Sequence, residues 1–141
     1  MHAAIYGLAG PVISEDERKF FLGVDPAGYI LFKRNCSDPQ QLRGLTDQLR
    51  ALHGRADLPI LIDQEGGRVA RMQPPVWPSF PRGEAFDRLD QLAPSSAIEA
   101  ARMNARALSL LLREVGVNVN CLPMLDVRQP GATDIVGDRA Y

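Results

Sequence analysis

Apolar residues in this chain follow two rhythms, one of short runs and one of helical spacing. Residues 3–8, 28–32, 60–62 and 117–122 are short apolar runs bounded by glycine, proline or polar clusters, the pattern of buried strands. Between them the period changes. Ser14 with Glu17 three residues on forms a capping box that opens a helix through about Phe21, with Phe20 and Phe21 expected to face inward. Asp38, followed by Pro39 at the first helical position, opens a second helix. Leu42, Leu45, Leu49 and Leu52 recur along it at helical spacing, and Gly54 closes it. Ser96 and Glu99 make another capping box ahead of a long helix ending near Glu114, with Ala101, Leu108, Leu111 and Leu112 on its apolar face. Residues 72–82, with Pro74, Pro75, Pro78 and Pro81, read as an ordered loop, and residues 127–141 as a second one.

The resulting order is strand, helix, strand, helix, strand, loop, helix, strand. Helix-length crossovers join parallel strands, so the fold class is α/β. No Gly-x-Gly-x-x-Gly follows the first strand, and no Gly-x-x-x-x-Gly-Lys-Ser/Thr loop occurs, which disfavours a nucleotide-binding sheet and leaves a barrel-type architecture ahead.

Composition narrows the functional classes. At 141 residues and 45% hydrophobic content, the chain has enough apolar material for one core. A net charge of −1 gives no footprint for nucleic acid or an anionic membrane surface. No apolar run approaches the roughly 20 residues of a spanning helix. The first residues lack a basic segment leading into a long apolar one, so no secretory signal is expected. Cys36 and Cys121 have no metal-ligand spacing and read as buried free thiols of a reducing, cytoplasmic compartment. His2 and His53 read as solvated residues.

The chemistry concentrates after the third strand. Ile60-Leu61-Ile62 runs directly into Asp63-Gln64-Glu65, two glycines, Arg68 and Arg71. Carboxylate acceptors and guanidinium donors therefore crowd the C-terminal end of a strand, where parallel α/β folds bind ligands. An arbitrary cluster of this composition is more often a turn with a local ion pair. Here the string is more particular.

Asp63-Gln64-Glu65-Gly66-Gly67-Arg68-Val69-Ala70-Arg71 resembles the signature of bacterial β-N-acetylhexosaminidases of glycoside hydrolase family 3, which are built on a TIM barrel. Pro123-Met124-Leu125-Asp126-Val127 resembles the same family's Pro-x-Leu-Asp-Val motif. Gly137-Asp138-Arg139-Ala140-Tyr141 resembles its Gly-Asp/Glu-Arg-Ser-Phe/Tyr motif, with Ala140 in place of the usual serine. Gly7 to Gly10 and Gly28 to Asn35 match the family's first two strand ends. A complete (β/α)₈ barrel takes about 250 residues, so the resemblance implies the N-terminal half of a TIM barrel, with about four parallel strands and crossover helices.

The resemblance also implies roles. Asp63, Arg71 and Arg139 match residues that bind the terminal N-acetylglucosamine. Glu65 and Arg68 are expected to support them, by pairing with each other or with neighbouring strands. Asp126 either joins the site or braces the loop bearing Arg139. Trp77 either stacks on a sugar ring or plugs its loop. The family reaction is retaining hydrolysis of β-linked N-acetylglucosamine from muropeptide fragments in cell-wall recycling, with no metal or organic cofactor. Its acid/base histidine lies in a Lys-His-(Phe)-Pro-Gly-His-Gly loop, and its nucleophile is a late aspartate. Neither motif occurs in these residues, so no catalytic residue is assigned and the chain alone is expected to be inactive. Two other readings stay open. One is a non-catalytic half-barrel assembly or carbohydrate-binding module that self-associates through its strand edges. The other is a β-glucosidase of the same family, which the Asp-Gln-Glu-Gly-Gly-Arg string disfavours.

Overall fold

The computed structural model describes residues 1–127, 131 and 135–141. Among them are four strands, β1 (His2–Tyr6), β2 (Pro26–Leu31), β3 (Ile60–Ile62) and β4 (Val119–Asn120), and four helices. The helices are α1 (Glu15–Val24), α2 (Pro39–His53), α3 (Gly83–Leu92) and α4 (Pro94–Glu114). The strands form one parallel sheet in the order β1-β2-β3-β4, with Tyr29 opposite Ile60 and Ile62 opposite Asn120. Sequential parallel strands joined by helices form an open segment of a barrel wall, so the expected α/β architecture is present.

The core lies between the sheet and its helices. Leu31, Ile60 and Ile62 from the strands meet Leu42, Leu45 and Leu49 of α2, all essentially buried. Complete burial of each such side chain stabilises the fold by about 1.5–3 kcal/mol. Asn35, fully buried, ties two strand exits together: its Nδ2 donates to Leu8 O and Gly10 O, and its Oδ1 accepts from Phe32 N. At the other end of the wall, the Asn118 and Asn120 side chains continue the pairing of β3 with β4. Asn118 Oδ1 accepts from Ile60 N at 2.7 Å, and Asn120 Oδ1 from Gln64 N at 3.0 Å.

The Ser14 capping box forms as expected. So does the cap of α2, with Asp38 accepting from Gln41 N, Pro39 in the first turn and Gly54 left-handed at the C-cap. Other expectations need correction. Phe21 is buried but Phe20 is half exposed, because helical neighbours sit about 100° apart and cannot share a narrow inner face. The 117–122 run shortens to Val119–Asn120, since Val117 N still bonds Leu112 O at the end of α4.

The Ser96 box does not form. α4 begins at Pro94 behind Ala93, which gives no side-chain cap, and Ala93 also terminates α3. α3 itself was not expected. Its first residue is a glycine just beyond a proline-rich segment, and Phe86 with Leu89 is too short a period to stand out. Trp77 is 5% exposed and part of the core, as the plug reading requires. Cys121 is exposed, not buried, and Cys36 is partly buried. His53 is not solvated: its side chain is only 3% exposed, Nε2 lies 2.7 Å from the Tyr29 hydroxyl, and Nδ1 lies 3.4 Å from Asp25.

Candidate functional site

Strand alternation at β3 sorts the site residues. Ile60, Ile62 and Gln64 are buried on the helix side, whereas Leu61, Asp63 and Glu65 share the opposite face and stay partly accessible. Gln64 is the internal brace. Its Oε1 accepts from the backbone N–H of Arg71 at 2.9 Å and Met72 at 3.0 Å, and its Nε2 donates to Met72 O at 2.9 Å. One buried amide thus folds the loop back on the strand and delivers Arg71 to Asp63. The turn needs Gly66, whose φ of 109° excludes other residues and whose Cα lies against Pro81 O.

Two guanidinium–carboxylate pairs result. Arg71 Nη2 donates to Asp63 Oδ2 at 2.6 Å, with the side chains 28% and 24% exposed. Arg139 grips Glu65 through both Nε (2.8 Å) and Nη2 (2.6 Å), a bidentate geometry. That bond raises the Arg139 pKa further above its usual value, so the side chain remains charged. Arg71 also lies over the Phe32 ring at 5.7 Å from its centroid. Beside it, a cavity of about 130 Å³ is lined by Lys33, Cys36, Gln73 and Trp77 among others.

The mutual pairing, one of the two arrangements expected for Glu65 and Arg68, is not made by Arg68. Arg68 pairs not with Glu65 but with Asp138, Nε to Oδ1 at 2.8 Å, and Nη2 donates to Val136 O. Glu65 is already committed to Arg139, and Arg68 is 54% exposed. Arg82 reaches the same Asp138 at 3.4 Å and Glu84 at 2.8 Å. The Arg68 bond, above all, holds the Asp138 carboxyl below the usual carboxylate range. Asp126 accepts Tyr141 N–H through its backbone carbonyl at 3.1 Å, which ties the segment after Arg139 to the exit of β4.

The structure therefore gathers Asp63, Arg71, Glu65 and Arg139 at one mouth and sets Arg68 on its outer side. Gln64, Asn120, Arg82 and Asp138 complete the support and were not singled out from sequence. Two of them gave a signal: Gln64 is a polar residue continuing the buried phase of the strand, and Asp138 stands inside the Gly137–Tyr141 motif. The exposed Cys121 thiol sits beside the site, since its N–H donates to Ile62 O; burial first, then Asp63, raises its pKa. Burial pushes the Cys36 thiol up to about 11. Both thiols are protonated at neutral pH and are poor nucleophiles. Among the described residues no cluster of three or more His, Cys, Asp or Glu side chains is placed to hold a metal ion. None of the described helices is long and apolar enough to cross a membrane.

The comparisons with known proteins concern the chain as a whole. The chain is 35% identical to a β-hexosaminidase of Methylococcus capsulatus over 143 aligned positions, covering 97% of this chain and 39% of the relative. Native NagZ of Neisseria gonorrhoeae superimposes with a TM-score of 0.88 at 30% identity, over 98% of this chain and 40% of that one. The same NagZ has been crystallised with N-trifluoroacetyl-D-glucosamine. A family 3 β-N-acetylglucosaminidase of Paenibacillus superimposes with a TM-score of 0.76 at 31% identity, over 87% of this chain and 23% of that one. No family model matches the chain. The chain spans about two-fifths of the length of the curated relatives it matches.

Proposed function

We propose that this chain, whose sequence and fold are those of the N-terminal part of the glycoside hydrolase family 3 β-N-acetylhexosaminidases, carries the sugar-recognition rim of such an enzyme. The whole protein would remove terminal β-linked N-acetylglucosamine from muropeptide-type saccharides by a retaining mechanism, in cytoplasmic cell-wall recycling. Asp63, Arg71 and Arg139 hold the terminal sugar, and Glu65, Arg68 and Asp126 support them. The observation that carries the reading is the pair of half-buried guanidinium–carboxylate contacts at the exit of β3.

Sugar hydroxyls both donate and accept, and a paired arginine and carboxylate offer both partners with fixed direction and charge assistance. Such contacts, made away from the scissile bond, orient the substrate for groups outside this chain. Two cysteines without a disulfide fit a reducing compartment. Without the motifs for nucleophile and acid/base, these residues alone should not turn over substrate. A chromogenic aryl N-acetylglucosaminide tests the reading. The whole protein should hydrolyse it, and the 141 residues alone should not. A whole protein that is silent on this substrate and active on an aryl glucoside would overturn it.

Self-association is a second reading, favoured by the sheet's two outer strands. Beside β4 lies a cleft of about 350 Å³ lined by Leu108, Leu112, Val117 and Leu122. At the other edge, Ile5 and Phe20 are half exposed. Among the described residues the outer edges of β1 and β4 have no strand partner, and such edges with apolar flanks favour further pairing; two copies would supply eight strands. Light scattering that reports a monomer would exclude this reading.

A further inference from the structure

Arg139 has no regular element to hold it. It ends a three-residue 3-10 turn, Gly137–Arg139, and Ala140 follows in extended conformation. In such a turn successive side chains diverge by about 120°, so the direction of one residue sets that of the next. Asp138 is drawn outward between Arg68 and Arg82, while Arg139 points inward to Glu65. The backbone is seated in the same way. Gly83 lies directly beneath the Arg139 carbonyl, and a Cβ there would overlap that oxygen and crowd Ala140 O. The segment bearing Gly83 is itself fixed to the site loop, because Gly67 N–H donates to Phe80 O at 3.0 Å and Gly66 packs on Pro81 O.

We infer that Asp138, with Arg68, Arg82 and the bare Cα of Gly83, forms a positioning clamp that aims the Arg139 guanidinium into the sugar mouth. Asp138 is a positioning residue, acting through Arg139. The clamp explains why a residue more than seventy positions from Glu65 meets it in bidentate geometry. It also gives Arg68 a role beyond surface charge. Its connection to saccharide binding rests on the reading of Arg139 given above, but its effect on the arginine itself does not.

Nitrogen-15 NMR of the 141-residue chain tests it, with the Arg139 Nε–H signal as reporter and the buried Trp77 indole N–H as gauge of the fold. In the parent, the Arg139 signal should exchange slowly, held by Glu65. Asp138→Asn should speed that exchange about tenfold, as for loss of an orienting charge-assisted bond, and leave the indole signal in place. Asp138→Glu should restore much of the protection, which a merely structural defect would not. Should Asp138→Asn disturb the indole, Arg82→Gln decides the matter by the same two signals. Unchanged Arg139 exchange in a folded variant overturns the clamp. Titration with N-acetylglucosamine separates the two claims. If Arg139→Lys leaves affinity unchanged while Asp138→Asn frees the guanidinium, the clamp stands and the sugar contact fails. If Arg139→Lys weakens binding and Asp138→Asn alters neither signal nor affinity, the sugar contact stands and the clamp fails.

Discussion

The two ends of this barrel wall both hold clusters of charged and polar side chains, and they are built differently. At the C-terminal ends of the strands, Asp63, Arg71, Glu65 and Arg139 are paired by loops that glycines allow to stack, and each keeps some contact with water. At the N-terminal ends, Tyr29 is fully buried beneath His53, whose other nitrogen faces Asp25. Asp25 in turn meets the terminal amine at 3.1 Å and Arg55 at 3.4 Å. The first cluster presents directional groups outward. The second closes helix α2 onto β1 and β2 around the buried Tyr29 and His53 side chains. That division follows the general rule for parallel α/β barrels, with recognition at one end of the strands and stability at the other.

The sharpest break of this comparison is Asp63→Asn. In the whole protein, kcat/KM for an aryl N-acetylglucosaminide should fall roughly a hundredfold, about 3 kcal/mol of lost transition-state stabilisation. Melting should barely move. Near-normal activity in the folded variant would remove Asp63 from the rim.

Gln64→Leu comes next and blurs the division, because it strikes the brace behind the mouth. It leaves the N–H groups of Arg71 and Met72 and the Met72 carbonyl without partners. About 1–3 kcal/mol per stranded group makes a multi-kcal/mol loss of stability, read as a lower denaturant midpoint. A midpoint within error of the parent would deny Gln64 that role.

Acid should act on the opposite end. Burial, and then Arg55, lower the His53 pKa from its ordinary value near 6.5. A depressed histidine adds stability that is complete above its unfolded pKa and lost as pH falls through the folded one. Melting temperature should therefore decline below about pH 6.5, with the decline reduced in His53→Gln. An unaltered pH profile in that variant would exonerate His53.

The smallest effect is expected from Arg139→Lys, since charge is kept and only the planar fork is lost. KM should rise several-fold with melting unchanged. Kinetic constants equal to the parent's would count against a directional contact.

The readable parts of the chain were those whose cause is local. Ser14 with Glu17, and Asp38 with Pro39, announce α1 and α2 because their caps close within one turn. Asp63 and Arg71 were placed in one mouth because both follow directly on the end of β3, and the family resemblance carried Arg139 there. The pairing of the charges was not readable. Glu65 chooses Arg139 over Arg68, and Arg68 chooses Asp138, across about seventy residues of chain. Nothing local distinguishes those choices. His53 likewise stands at a helix end, a position that normally faces water, and only the approach of Tyr29 and Asp25 buries it. The 96–99 box failed for the opposite reason: its residues are correct, but Pro94 had already begun the helix.

The most direct test of the proposal that this mouth binds sugar is titration of the chain with N-acetylglucosamine while the guanidinium signals of Arg71, Arg139 and Arg55 are followed together by NMR. Shifts confined to Arg71 and Arg139, and lost in Asp63→Asn, are the predicted result. No shift at the mouth, or equal shifts at Arg55, would contradict it.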